Sequence, residues 1–126
     1  MSSEALHAPR ERLSRATITH HQAIVSLMEE LEAADWYRQR ADDCEDASLK
    51  EILLHNMREE MEHACMILEW LRRNEPGWSA NMDTYLYSAA PITEVEEAET
   101  GGGGEAVAGE APGKRKPGFT VGDLKS

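Results

Sequence analysis

Glu60 and His63 stand three residues apart in a stretch of helical pattern, and Glu30 stands alone in the helical stretch before it. Carboxylate oxygens and an imidazole nitrogen are ligands for a divalent transition metal. In four-helix proteins that hold two carboxylate-bridged irons, two helices each give one Glu and two more each give Glu-x-x-His, all pointing into the bundle. This chain carries one of each, half of such a ligand set.

Two long helical patterns must bring these residues together. The polar run Asp42-Asp43-Cys44-Glu45-Asp46-Ala47-Ser48 reads as the turn between them, and Glu30 and Glu60 are about equally far from its middle. In an antiparallel hairpin, equal spacing at a shared rise of about 1.5 Å per residue puts both carboxylates at one height. His63 follows roughly one turn beyond Glu60 on nearly the same face. A two-fold axis beside these three groups would supply a second Glu30, Glu60 and His63, giving four carboxylates and two imidazoles. The same spacing is also met by solvated surface glutamates and by an ordinary helix histidine bonded to a carboxylate, so the ligand reading needs independent support.

The first pattern runs from about Arg10 to Arg40, with Leu13, Ile24, Leu27, Met28, Leu31 and Ala34 at helical spacing and Pro9 as a first-turn residue. The second begins near Ser48, expected to cap it in a box with Glu51. Leu49, Ile52, Leu53, Met57, Met66, Ile67, Trp70 and Leu71 form its expected buried stripe, and Asn74-Glu75-Pro76-Gly77 ends it. Glu60 and His63 interrupt that stripe, where ionisable groups need partners. A shorter segment carries Trp78, Met82, Tyr85 and Leu86, and Ile92 with Val95 offers one more short helix. No stretch has strand character. The expected fold class is all-α: an antiparallel two-helix hairpin followed by a short C-terminal helix.

Composition narrows the partners. The chain has 126 residues and a formal charge of −11, from 13 basic and 24 acidic side chains. An acidic body is a poor match for nucleic acid or an anionic membrane and a good one for cations. No apolar run has the 18 or so residues of a membrane span, and Met1 to Ala16 carries charges where a signal peptide has its apolar stretch. Two cysteines, Cys44 and Cys65, make neither a zinc site nor a disulfide framework. A cytoplasmic protein is expected. A two-helix hairpin buries little alone, which favours an oligomer.

The organisation read from these patterns is a helical domain over 1–98, a Gly-rich linker over 99–117 and a terminal peptide over 118–126. Phe119, Val121 and Leu124 give that peptide three apolar anchors on a tether, suited to a groove on a partner.

Met28-Glu29-Glu30-Leu31-Glu32-Ala33-Ala34-Asp35-Trp36-Tyr37, with Glu59-Glu60-Met61-Glu62-His63-Ala64 and Leu68-Glu69-Trp70-Leu71-Arg72-Arg73-Asn74, closely resembles the encapsulated ferritin family from about His21 to Val95. The resemblance implies a half-ferritin that completes a four-helix bundle by dimerisation, and a ring of five dimers. It implies a ferroxidase that oxidises Fe(II) to Fe(III) at a di-iron centre shared between two subunits. Glu30, Glu60 and His63 would be its ligands, with Glu60 bridging. It also implies that Glu29 and Glu32 capture or guide iron, and that Trp36 and Tyr37 lie close to the metals. Packing at a subunit interface is the competing role for both aromatics. Pro117 to Ser126 is similar to the peptides that dock cargo inside encapsulin shells, which implies an encapsulin partner and a place within that compartment. The residues by themselves leave two alternatives open: a metal-binding helical scaffold without enzymatic activity, and a di-iron protein that removes peroxide or oxygen.

Overall fold

The computed structural model describes residues 5–101. A single 3-10 turn at Arg10–Arg12 precedes α1 (Arg15–Asp43), which is joined to α2 (Ala47–Asn74) by three residues. Two short helices follow, α3 (Pro76–Tyr85) and α4 (Ile92–Gly101). Among the described residues there is no strand, and no helix is long and apolar enough to cross a membrane. The all-helical expectation is met, with two short helices after the hairpin.

Capping chemistry sets the helix starts, and it differs from the expected boundaries in two places. α1 begins at Arg15 and not at Arg10, because the Ser14 hydroxyl accepts a hydrogen bond from the Thr17 amide at 3.0 Å. That bond satisfies one of the free N–H groups of a helix start. For α2 the cap is Asp46, two residues before the expected Ser48. The Asp46 carboxylate accepts from the Leu49 amide at 2.9 Å and from the Ser48 hydroxyl at 2.9 Å, which holds its pKa below the ordinary value. A carboxylate in that position also faces the positive end of the helix dipole. Pro76 opens α3 as a first-turn residue, where a missing N–H is harmless. After α3 the chain turns through Tyr87, whose φ of 67° lies in the left-handed region.

α1 and α2 pack together along a narrow seam. Leu27 meets Ala64 and Leu71, with Ala23, Ile24, Ile67 and Leu68 packed around them. On α2 the buried residues are Met57, Ala64 and Leu71, seven apart, the spacing at which one face of a helix stays against an antiparallel partner. Only part of the expected apolar stripe lies there. Leu49, Ile52, Met66 and Trp70 are exposed on the single chain, because α1 covers one sector of α2 and these residues lie beside it. Ile52, Glu59, His63, Met66 and Trp70 recur at spacings of seven, four, three and four, so they form a second, uncovered stripe. α3 and α4 contact each other and form a separate unit from Glu75 onward.

Candidate metal centre

The hairpin brings Glu30 of α1 and Glu60 and His63 of α2 to one point. One ligand atom from each lies within 4.8 Å of the others. The His63 Nδ1 atom is 3.2 Å from Glu60 Oε1 and 3.6 Å from Glu30 Oε1. The register argument explains this meeting: the tight connection at Cys44–Asp46 leaves the two glutamates level. The two carboxylate side chains keep 26% and 23% of their surface exposed and the imidazole 45%, so the cluster opens sideways from the hairpin, with room for further ligands.

The three groups compete for protons. A hydrogen bond shared with Glu60, together with partial loss of solvent, pushes Glu30 above the usual carboxylate range. The same bond and the nearby imidazole hold Glu60 below it. The hydrogen bond with Glu60 and the charges of Glu30, Glu60 and Glu59 raise His63. Of the two carboxylates Glu30 is therefore the one that holds a proton more readily, and the group contains no permanent cation. A divalent cation would relieve that competition, releasing protons on binding. Two carboxylates and an imidazole that stay open to solvent suit iron, and the donor set by itself also accepts manganese or zinc.

The other expected site residues fall outside this group. Glu29 and Glu32 are exposed on α1. Trp36 is exposed and Tyr37 half-buried, and both rings face the Arg40 guanidinium, whose central carbon lies 5.7 Å and 5.5 Å from their centroids. Arg40 escaped the sequence reading, although its spacings of four and three from these aromatics are those of helix neighbours. Glu59 was also missed as a neighbour of the cluster: its Oε1 lies 4.0 Å from His63 Nε2. Phe119, Val121 and Leu124 lie outside the described residues.

The EncFtn-like family model matches residues 5–89. The chain belongs to that family. An "Encapsulated ferritin-like protein" of Rhodospirillum rubrum is 49% identical over 127 aligned residues, covering 98% of this chain and 90% of its own length. A "Ferritin-like protein" of Thermotoga maritima is 47% identical over 108 residues, covering 86% of this chain and 94% of its own. A protein of Nitrosomonas europaea with a known crystal structure superposes with a TM-score of 0.68 at 48% identity, over 70% of this chain and 97% of that one. The helical fold is accordingly that of a half-ferritin, and EncFtn-like membership makes this an iron-related, ferritin-like protein. The Glu30, Glu60 and His63 group is chemically suited to iron.

Proposed function

We propose that this protein is a ferroxidase whose substrate, Fe(II), is oxidised to Fe(III) at a centre formed by Glu30, Glu60 and His63 of two chains, with Glu60 shared between the two metals. The observation that carries the reading is the convergence of those three ligands at one point of an EncFtn-like hairpin. One chain offers three donors, too few to fill the coordination of two irons, and a second copy related by a two-fold axis doubles them. The uncovered stripe of Ile52, Met66 and Trp70 flanks His63 and supports a second copy docking on this side. The dimers would assemble further into a ring of ten chains.

Two Fe(II) ions held together supply the two electrons that reduce dioxygen to hydrogen peroxide, with two protons taken up. Carboxylates favour the Fe(III) product, a hard cation bound by oxygen. Glu29 and Glu32, exposed on α1 beside Glu30, would draw incoming iron, and Tyr37 with Trp36 would lie beside the centre. A hairpin assembly encloses little space for mineral, so storage falls to a surrounding shell. The printed name of the Rhodospirillum rubrum relative, an encapsulated ferritin-like protein, supports an encapsulin compartment as the place of action. Phe119, Val121 and Leu124 on the C-terminal tether would be the shell-docking anchors, many copies on one ring raising the effective concentration.

Native mass spectrometry with and without anaerobic Fe(II) tests the centre. Even-numbered assemblies with two irons per dimer are expected. Glu60→Ala is expected to lose that stoichiometry and the rapid oxidation that follows oxygen; an unchanged rate in the variant would sink the proposal. Metal uptake without rapid oxidation would favour the scaffold alternative. Deleting Phe119 to Ser126 is expected to leave oxidation intact and prevent packaging, and truncated protein found inside shells would reject the docking role.

A further inference from the structure

Glu59 lies against the side of His63 that faces away from the cluster. The ring presents Nδ1 to Glu60 and Glu30 at 3.2 Å and 3.6 Å, and its other nitrogen, Nε2, to Glu59 Oε1 at 4.0 Å. The second oxygen of the same carboxylate, Oε2, is 3.9 Å from His55 Nε2. His55, Glu59 and His63 are spaced by four along α2, so the carboxylate sits between two imidazoles, one turn to either side. Being next to Glu60 in sequence, Glu59 points to a different side of the helix and stands outside the Glu30, Glu60 and His63 group.

A neutral imidazole has one N–H, and a nitrogen that binds a metal must be the other one. Which nitrogen is free depends on what accepts the proton of its partner, and a carboxylate or carbonyl commonly takes that part in histidine metal sites. We propose that Glu59 is a positioning residue for His63: it accepts the Nε2 proton and so holds the ring with a bare Nδ1 turned towards a metal between Glu30 and Glu60. At 4.0 Å the Nε2 contact is an ion-pair distance, so the bond forms only when the exposed Glu59 side chain turns towards the ring, and the 3.9 Å contact with His55 shows that this carboxylate lies between the two imidazoles. The inference rests on the reading of Glu30, Glu60 and His63 as a metal centre, and it adds a fourth side chain that acts without touching the metal.

The test uses the full-length protein and Co(II), a probe that binds iron-type sites without being oxidised by air under these conditions. Its ligand-field absorption and binding heat are followed in wild type, Glu59→Ala, Glu59→Gln, Glu62→Ala and His63→Ala. Glu59→Ala is expected to weaken Co(II) binding about tenfold, the low end for loss of such a partner at a solvent-open position, with unchanged stoichiometry. Glu59→Gln retains an oxygen that accepts the Nε2 proton and is expected to bind as wild type does. Glu62→Ala removes an equal charge nearby and is also expected to bind normally. With Zn(II) bound, nitrogen-15 shifts of His63 should show a protonated Nε2 in wild type and Glu59→Gln. Equal binding by wild type and Glu59→Ala would overturn the inference. So would equal weakening in Glu59→Ala and Glu62→Ala, or failure of Glu59→Gln to rescue, because charge alone would then explain the effect. If wild type and His63→Ala bind Co(II) alike, it is the metal-centre reading that fails.

Discussion

Two glutamates on α2 have basic partners at the same helical spacing and have opposite meanings. Glu69 is bound by Arg72 three residues on and Arg73 four residues on, through nitrogen–oxygen contacts of 2.8 Å, 2.6 Å and 2.7 Å. Those permanent cations hold it down to about 2. Glu60 has His63 three residues on, at 3.2 Å, and must share that imidazole with Glu30. The first group is complete within its own helix. In the second, two carboxylates face one weakly basic ring across two helices. Spacing alone therefore does not mark a site; what marks it is a set of ligands whose charges the chain itself leaves uncompensated.

The largest expected effect breaks the comparison at the open end. Glu30→Ala is expected to abolish defined anaerobic Fe(II) stoichiometry, since it removes the only ligand that α1 contributes to the group. Glu69→Ala is expected to leave that stoichiometry intact, because its carboxylate is occupied by arginine. Isothermal titration of both variants decides it, and comparable losses would mean that diffuse acidic charge, and not a site, attracts the metal.

A second effect separates support from chemistry. Leu71 stands between Glu69 and the two arginines in sequence and is fully buried against α1. Leu71→Ala is expected to lower unfolding free energy by about 2–5 kcal/mol, from lost burial plus the cavity left behind. In the fraction that remains folded, iron stoichiometry should match wild type. Denaturant titration alongside metal titration checks this, and a folded variant with lost metal would show that the hairpin seam near Leu71 sets the ligand register.

The contrast between these regions also explains what the sequence disclosed. Glu30 and Glu60 are level because a hairpin with a short connection makes equal chain distances equal heights, so their meeting was legible from numbering. The resemblance carried by Met28 to Tyr37 and Glu59 to Asn74 identified the family before any contact was known. The helix starts were less legible: Asp46 and Ser48 are both good capping residues, and a shift of two positions decides which carries the bond. The apolar stripe of α2 was only half readable. Periodicity shows that Ile52, Met66 and Trp70 are apolar and share a face, but not that α1 covers the neighbouring face and leaves this one open. Glu59 was hidden for a different reason. One acid among many on an acidic helix has no distinguishing pattern until the two ring nitrogens of His63 are seen to face different carboxylates.

The smallest expected effect lies in the acid response of the closed group. Glu69 in the folded chain stays ionised down to about 2, against an ordinary 4.5, because Arg72 and then Arg73 bond to the charged form. Between those values the unfolded chain binds the extra proton, so stability rises with pH there. The contribution is fully present above 4.5 and is lost as pH falls through the folded value near 2. With 41% of its side chain exposed, the group is screened by solvent, and its effect on unfolding should be slight and weaken further with salt. Helical content followed through chemical unfolding at pH 3 and pH 6 in low salt should show a smaller pH difference in Glu69→Gln than in wild type. An identical pH difference in both would mean that the arginine contacts carry no net stability, and that the short distances of the clamp reflect proximity on the helix alone.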